Sequence, residues 1–338
     1  MNKQIEITEP VELLNAEGEP LRPGYAKKNI FIYNRDAAAN KLRMKEWDFY
    51  QVSDGKKMIQ VNFANIALGS AATATYIDME TGKKLSGAGI CPFTVHRFVP
   101  PANSVKPHHF EFNKGGAHLV IDYDGEKRRV RYRDKHLEIY FSAVQEGDGE
   151  SITAVFPFKT KGRFFYTDKI NCMPAKGKVV YDGETVWEFG RDTAFAVLDW
   201  GRGCWPYSNY WIWANGSTRL ENGKLFGFEL TWGIGDESNA TETMLFLDGK
   251  AHKIGAVRLE REPDGRWMEP WHFISEDSRF DMTMKPFYDN ANPINLGLLK
   301  FSCHQVHGLW SGRAVLDDGS VIEVKDMYAF AEKMYNRW

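Results

Sequence analysis

The residues best suited to chemistry lie between positions 195 and 215, in the stretch FAVLDWGRGCWPYSNYWIWAN. This stretch places Asp199 and Arg202 among a concentration of tryptophans. The pattern predicts two strands, 195–198 and 207–214, joined by a segment 199–206 that is neither regular helix nor regular strand, because glycines flank the arginine. In the second strand, period-2 alternation places Trp211 and Trp213 on one face and Tyr210 on the other.

Asp199 and Arg202 have two interpretations, and the residues alone leave both open. In the first, they form a buried structural ion pair at a barrel end and the tryptophans are core. In the second, Asp199 exchanges a proton in an aromatic pocket, and Arg202 orients it or binds an anion. Aromatic faces there would stabilise a developing cation or bind an apolar ligand. The candidate ligand-binding residues are Trp200, Trp205, Tyr210, Trp211, Trp213, Glu229 and Trp310.

Two histidines, His304 and His307, are alternative acid–base residues in the stretch FSCHQVHGLW. Their spacing resembles that of a metal site on a helix, but Gly308 and the apolar residues that follow it favour extended structure. Residues three apart on a strand point to opposite faces. The sequence therefore predicts that the two histidines diverge and form no metal site.

A further carboxyl lies in the stretch LFGFELTWGIG, where alternation places Glu229 opposite an aromatic face. A glycosidase would need two carboxylates about 5 to 10 Å apart. Glu229 or Asp281 is a candidate partner of Asp199 for that chemistry. The sequence does not show which of them, if either, lies close to it.

Composition and absent motifs exclude several classes of function. The 338 residues carry a net charge of −2, which favours neither nucleic acid nor an anionic membrane as partner. Phosphate-binding glycine loops, the serine-hydrolase elbow and the zinc-protease motif are absent, so no cofactor is predicted. The N-terminus lacks secretory signal features, no apolar run could span a membrane, and the four cysteines are scattered. These features predict a cytoplasmic protein with reduced thiols.

Turn chemistry indicates the elements that must position these residues. Asp-Gly or Asn-Gly pairs recur along the chain between short alternating apolar runs, as at 124–125, 248–249 and 318–319. Such pairs accept the positive φ of tight hairpins, so the pattern predicts an antiparallel all-β fold with few helices. Helices are predicted only at 36–45 and at the C-terminus, where Met327, Ala331, Met334, Tyr335 and Trp338 form a helical stripe. A predicted boundary separates β-barrel-like domains at 1–175 and 176–338.

The motif Asp199-Trp200-Gly201-Arg202-Gly203, followed by 205–207 and by Trp211 and Trp213, resembles the signature of a bacterial family, domain-of-unknown-function family 2804. The resemblance covers most of the chain but implies no catalytic residues. More distantly, the chain is similar to double-barrel calycin-like proteins such as carotenoid 1,2-hydratases and tocopherol cyclase. That similarity implies two lipocalin-like antiparallel barrels or curved sandwiches with an apolar ligand site. In those enzymes an acid protonates an alkene among aromatic side chains, a part that Asp199 could play here.

The leading hypothesis is therefore binding of a hydrophobic small molecule such as an isoprenoid or lipid. If the protein is an enzyme, we expect a cofactor-independent hydratase, isomerase or cyclase that uses acid catalysis. One alternative is a carbohydrate-binding or carbohydrate-processing protein that uses aromatic stacking and paired carboxylates. A second alternative is a non-catalytic lipocalin-like carrier. The oligomeric state stays open.

Overall fold

The computed structural model describes residues 4–297 and 299–337, and the regular secondary structure in this part of the chain is almost entirely β-strand. A small sheet pairs β1 (Val11–Glu12) with β3 (Phe31–Ile32) in parallel. The first large sheet holds β2 (Gly24–Ala26), β4 (Met44–Ser53), β5 (Lys57–Asn65), β6 (Gly69–Asp78), β7 (Lys83–Pro92), β8 (His108–Lys114), β9 (Ala117–Tyr123), β10 (Lys127–Arg133), β11 (Leu137–Val144), β12 (Ile152–Pro157), β13 (Phe164–Tyr181), β14 (Glu184–Phe189) and β15 (Phe195–Cys204).

Three residues, 205–207, separate the end of the first large sheet from the start of the second. The second sheet holds β16 (Ser208–Arg219), β17 (Leu225–Trp232), β18 (Glu242–Leu247), β19 (Lys250–Lys253), β20 (Val257–Leu259), β21 (Trp271–Ser275), β22 (Phe280–Ala291), β23 (Ile294–Leu296), β24 (Leu299–Val315) and β25 (Val321–Arg337). The boundary expected at 175/176 lies inside β13, whereas the chain passes from one sheet to the other between Cys204 and Ser208.

Both large sheets are antiparallel, and their tight turns use the glycine pairs that the sequence analysis singled out. Asp248 and Gly249 adopt φ values of 49° and 78° between β18 and β19, as a two-residue hairpin requires. The first sheet, in the order β7-β6-β5-β4-β15-β13-β11-β10-β9-β8, curls into a nearly closed barrel. The second, in the order β19-β18-β17-β16-β25-β24-β22-β21-β20, forms a half-barrel. The predicted all-β class is confirmed.

The predicted C-terminal helix is wrong, because residues 321–337 form the long strand β25 between β16 and β24. Alternate residues of this strand face opposite sides. Ala329 and Ala331 lie in the half-barrel core, whereas Phe330 packs in the layer between the two sheets. A strand with neighbours on both edges has its backbone groups paired along the ladder, which overrides the helical spacing of a few apolar residues. Trp338 lies outside the described residues.

The helix expected at 36–45 is also not formed. This stretch contains two short 3-10 segments, Arg35–Ala37 and Lys41–Arg43, and then enters β4. The irregular segment expected at 199–206 is instead regular strand through Cys204. Its glycines lie where side chains have no room, because a Cβ on Gly201 would be 2.2 Å from the Trp47 ring. None of the described helical segments is long and apolar enough to cross a membrane.

Three apolar layers follow from this arrangement. One fills the barrel of the first sheet and one fills the half-barrel of the second. The third lies between the sheets, where outward-facing residues of the first sheet meet Trp213 and Phe330 of the second. The functional candidates between positions 195 and 215 are distributed over these layers according to the side of the strand on which they lie.

Candidate functional site

A cavity of about 360 Å³ lies between the two large sheets. The first sheet contributes residues of β4, β5 and β15, and the second contributes residues of β16, β22, β24 and β25. The lining residues are Glu46, Trp47, Phe49, Gln60, Asn62, Ala64, Ile66, Asp199, Trp211, Trp213, Asn290, Asn292, Phe301, Cys303, Gln305, Glu332, Met334 and Asn336. Its size is that of a site for a small molecule, and its wall combines aromatic rings, amides and carboxyls.

Asp199 faces this cavity from β15 and forms an ion pair with Lys169 of β13, with 2.8 Å between Oδ1 and Nζ. Both side chains are largely buried, with 13% of Asp199 and 4% of Lys169 exposed. The Lys169 ammonium also lies 4.5 Å from the ring centroid of Trp213. Burial alone would lower the pKa of Lys169, but the nearby carboxylates, Asp199 foremost, raise it.

The predicted contact between Asp199 and Arg202 is wrong, because residues three apart on a strand lie on opposite faces. Arg202 points into the barrel of the first sheet, where it is fully buried. Its Nη2 donates to Asp48 Oδ1 at 2.7 Å and its Nη1 donates to the carbonyl of Trp47 at 2.6 Å. The guanidinium carbon lies 4.0 Å from the ring centroid of Trp200, which points the same way. Arg202 and Trp200 therefore belong to the barrel interior and not to the cavity.

A second carboxyl in the cavity, Glu332 of β25, was missed by sequence reasoning. Trp211 Nε1 donates to its Oε1 at 3.1 Å, and Gln305 Nε2 donates to its Oε2 at 3.3 Å. Burial raises the pKa of Glu332 despite hydrogen bonds from Trp211 and from Cys303. The alternation of Phe330, Glu332 and Met334 is the strand signal that could have revealed it, once the helical interpretation is removed.

Behind Asp199 lies a buried acidic group that does not line the cavity. Glu229 accepts hydrogen bonds from Asn215 Nδ2 at 2.9 Å and from Thr231 Oγ1 at 2.8 Å. Burial raises its pKa to about 7, although Lys169 opposes the shift. Burial likewise raises the pKa of Glu242 to about 8. Lys169 is thus attracted to three carboxyls, of which Asp199 alone reaches the cavity.

The predicted aromatic wall is only partly assembled. Trp211 and Trp213 line the cavity as expected. Trp205 packs in the layer between the sheets, with its ring centroid 4.8 Å from that of Phe165. Tyr210 lies on the other face of β16 from Trp211 and Trp213, near the ammonium of Lys333. Trp310 is buried in the half-barrel, with its ring centroid 4.5 Å from that of Phe273.

The two histidines diverge on β24 as the sequence predicts. His304 contacts Asp289 through Nδ1 at 2.8 Å and stacks on Trp267 with 3.9 Å between centroids. His307 is fully buried on the opposite face and contacts Tyr328 Oη through Nδ1 at 2.9 Å. Burial lowers its pKa to about 3. Neither histidine is among the residues that line the cavity, and the described residues contain no group of three or more potential ligands arranged for a metal ion.

The site therefore combines two carboxyls with different surroundings in one aromatic cavity. Asp199 is ion-paired with Lys169, whereas burial raises the pKa of Glu332. Two carboxyls with different surroundings that face the same space are suited to donating a proton and accepting one. Trp213 and Phe49, with 5.9 Å between their centroids, place aromatic rings beside them.

Comparison with solved structures supports the double-barrel, calycin-like architecture. A protein from Nitrosomonas europaea, provisionally assigned as AttH, is 12% identical with a TM-score of 0.50, and the match covers 89% of this chain and 96% of that one. Kievitone hydratase from Nectria haematococca is 10% identical with a TM-score of 0.53, covering 97% and 98%. Likeness at this level of identity shows the fold alone.

Comparison of sequences gives the family. No curated protein sequence matches the chain. The family model described as domain of unknown function, DUF2804, matches residues 4–338, which confirms the resemblance carried by the motif around Asp199. The chain belongs to the DUF2804 family.

Proposed function

We propose that the cavity between the sheets binds a small, mainly hydrophobic molecule and that the protein acts on it by cofactor-independent acid–base chemistry of the hydratase, isomerase or cyclase type. The observation that carries this proposal is the pair Asp199 and Glu332, which face one cavity beside aromatic rings. The fold shared with kievitone hydratase supports it as an analogy. The sequence hypothesis assigned the acid role to Asp199. We instead assign the base role to Asp199, which is ion-paired with Lys169, and the acid role to Glu332, whose pKa is raised by burial.

For an alkene, the proposed steps balance without a cofactor. Glu332 donates its proton to one alkene carbon, so a C–H bond forms and a cation develops on the other carbon. The faces of Trp213 and Phe49 and the charge of Asp199 stabilise that cation. Asp199 then accepts a proton from a water that adds to the cation, which gives hydration. Removal of a proton from an adjacent carbon by Asp199 gives isomerisation instead, and attack by a second double bond before proton loss gives cyclisation. Solvent returns the proton from Asp199 to Glu332.

The test uses the whole protein with alkenyl probes such as geraniol, farnesol and a prenylated phenol in isotopically labelled water. Mass spectrometry would follow incorporation of labelled oxygen or of solvent hydrogen at carbon. We expect Asp199→Asn and Glu332→Gln each to reduce incorporation by about 10² to 10⁴-fold, the usual contribution of general acid–base catalysis. Probe binding, followed by quenching of tryptophan fluorescence, should persist, because both substitutions preserve shape.

The control is Asp281→Asn, which changes a carboxyl that contacts His272 and does not line the cavity. This variant should retain wild-type incorporation. Probe binding without incorporation by the wild-type protein would reject the catalytic role and favour the non-catalytic carrier. Equal activity of all three variants would reject the assignment of Asp199 and Glu332.

One observation favours carbohydrate recognition as a second candidate. Amide side chains that suit hydroxyl groups line part of the cavity, and they are Gln60, Asn62, Asn290, Asn292, Gln305 and Asn336. A glycosidase would use Asp199 and Glu332 as its two carboxyls. Saturable binding of an oligosaccharide that Trp213→Ala abolishes would support this candidate and contradict the hydrophobic ligand.

A further inference from the structure

Most of the amides of the cavity are concentrated towards one end. In the first sheet, the register places Asn62 of β5 opposite Phe49 of β4, and Phe49 opposite Asp199 of β15. Asn62 therefore lies two strands away from Asp199, and adjacent strands are about 4.8 Å apart. On the face of the first sheet that lines the cavity, an amide on β5 and a carboxyl on β15 thus lie on either side of β4.

The second sheet repeats this order. Its register places Trp213 of β16 opposite Glu332 of β25, Glu332 opposite Gln305 of β24, and Gln305 opposite Asn290 of β22. Two contacts align the sheets: Gln60 Nε2 donates to Gln305 Oε1 at 2.6 Å, and Phe49 packs against Trp213. The β5 side of the first sheet therefore meets the β22–β24 side of the second. The amide end of the cavity is defined by Gln60, Asn62, Gln305, Asn290 and Asn292, and the acid end by Asp199, Trp211, Trp213 and Glu332. The two ends meet where Gln305 Nε2 donates to Glu332 Oε2 at 3.3 Å.

Hydrogen-bonding capacity remains unused in the cavity wall. The Oδ1 atoms of Asn62 and of Asn336, which is 1% exposed, are shielded from solvent and have no hydrogen-bond partner among the described residues. A buried amide oxygen without a partner is costly, and a hydroxyl group on a ligand would satisfy it. By contrast, the Oδ1 atoms of Asn290 and Asn292 accept from Lys84 Nζ at 2.9 and 2.8 Å.

The charge of the wall limits what can bind. Among the described residues that line the cavity, the ionisable groups are Glu46, Asp199, Glu332 and Cys303, and none is a lysine, arginine or histidine. Several cations contact lining residues and already have acceptors there. Lys169 pairs with Asp199 and Arg35 with Glu46. Lys84 contacts the two asparagines and Lys45 the carbonyl of Ile66. An anionic head would lie near the carboxyls of Asp199 and Glu332 and would have to displace the amide oxygens that Lys84 now contacts.

We propose that the ligand is a neutral amphiphile whose hydrocarbon part, with its double bond, lies at the acid end and whose hydroxyl-bearing head lies at the amide end. This arrangement favours alkenyl alcohols and alkenyl phenols over fatty acids and phosphorylated isoprenoids. The inference rests on the proposed function for the location of the site, and it adds the class and the orientation of the ligand.

The test compares three probes that share one alkenyl chain and differ in the head: farnesol, farnesene and farnesoic acid. Dissociation constants would be measured from quenching of tryptophan fluorescence near neutral pH. We expect farnesol to bind at least about tenfold more tightly than the hydrocarbon, the effect of about one additional hydrogen bond to a buried group. Farnesoic acid should bind more weakly than farnesol.

The variant Asn62→Leu has nearly the same shape but cannot accept a hydrogen bond. It should weaken farnesol binding about tenfold and leave farnesene binding unchanged. Asn113→Leu, which makes the same change at an exposed position of β8 away from the cavity, is the control and should change neither.

Failure of this inference and failure of the proposed chemistry give different results. Equal affinities for the three probes, tight binding of farnesoic acid, or no effect of Asn62→Leu would each overturn the neutral-amphiphile inference. Loss of all probe binding would overturn it together with the hydrophobic site. A preference for farnesol that persists in Asp199→Asn, with no turnover in the wild-type protein, would support the inference while rejecting catalysis.

Discussion

The buried Glu229 makes a prediction about the pH dependence of stability that does not require knowledge of the ligand. Its carboxyl lies in a fully buried position with a pKa raised from an ordinary 4.5 to about 7. Between these values the folded protein holds a proton on Glu229 that the unfolded chain has lost. Stability then falls as pH rises, with a slope of about 1.4 kcal/mol per pH unit for one proton. The contribution of this group is complete below about pH 4.5 and is lost as pH rises through about 7.

The perturbation is Glu229→Gln, which imitates the protonated carboxyl and does not titrate. Gln retains an oxygen for the hydrogen bonds from Asn215 or Thr231, so any lost contact changes the free energy of unfolding by an amount independent of pH. The difference between variant and wild type should therefore change by about 1.4 kcal/mol per pH unit between about pH 5 and 6.5, in favour of the variant at higher pH. It should level off above about pH 7.

The assay is urea unfolding followed by tryptophan fluorescence at half-unit intervals from pH 5 to 8. Glu269→Gln is the matched control, because that carboxyl is 53% exposed and pairs with the neighbouring Arg266 at 3.6 Å. Its stability curve should run parallel to that of the wild type. Parallel curves for Glu229→Gln and the wild type would refute the reasoning, since they would show that Glu229 is ionised in the folded protein throughout this range.

Two further substitutions test the packing that positions the site. Arg202→Met should lower the free energy of unfolding by about 3–5 kcal/mol in urea titrations, because it leaves the buried Asp48 without its 2.7 Å partner; a loss below about 1 kcal/mol would contradict this account. Gly201→Ala should lower the free energy of unfolding by about 1–3 kcal/mol and lower the melting temperature accordingly. The reason is that its Cβ would overlap the Trp47 ring, which is stacked on Phe165. An unchanged melting temperature would show that the ring can move aside.

Local patterns in the sequence were sufficient for the class of fold. A hairpin such as that at Asp248 and Gly249 depends on the backbone preferences of two residues and on the alternation beside them, and both are visible in the chain. The alternation that placed His304 and His307 on opposite faces is equally local. The same reasoning failed at 321–337, where widely spaced apolar residues fit a helical period by coincidence. The neighbours β16 and β24, which impose strand structure there, are distant in sequence.

The sequence by itself indicated that Asp199 lies among aromatic residues in an all-β fold, but it placed Asp199 in an irregular segment and not on the strand β15 that the structure shows. Only the tertiary structure decided its partners. Lys169 reaches Asp199 because β13 pairs with β15, and Glu332 faces the same cavity because β25 lies in the opposite sheet. Side-chain direction along a strand is a local property, whereas the meeting of two sheets depends on register and packing over the whole chain. For that reason the chain alone could indicate an acid but not the second carboxyl and the cation that define its role.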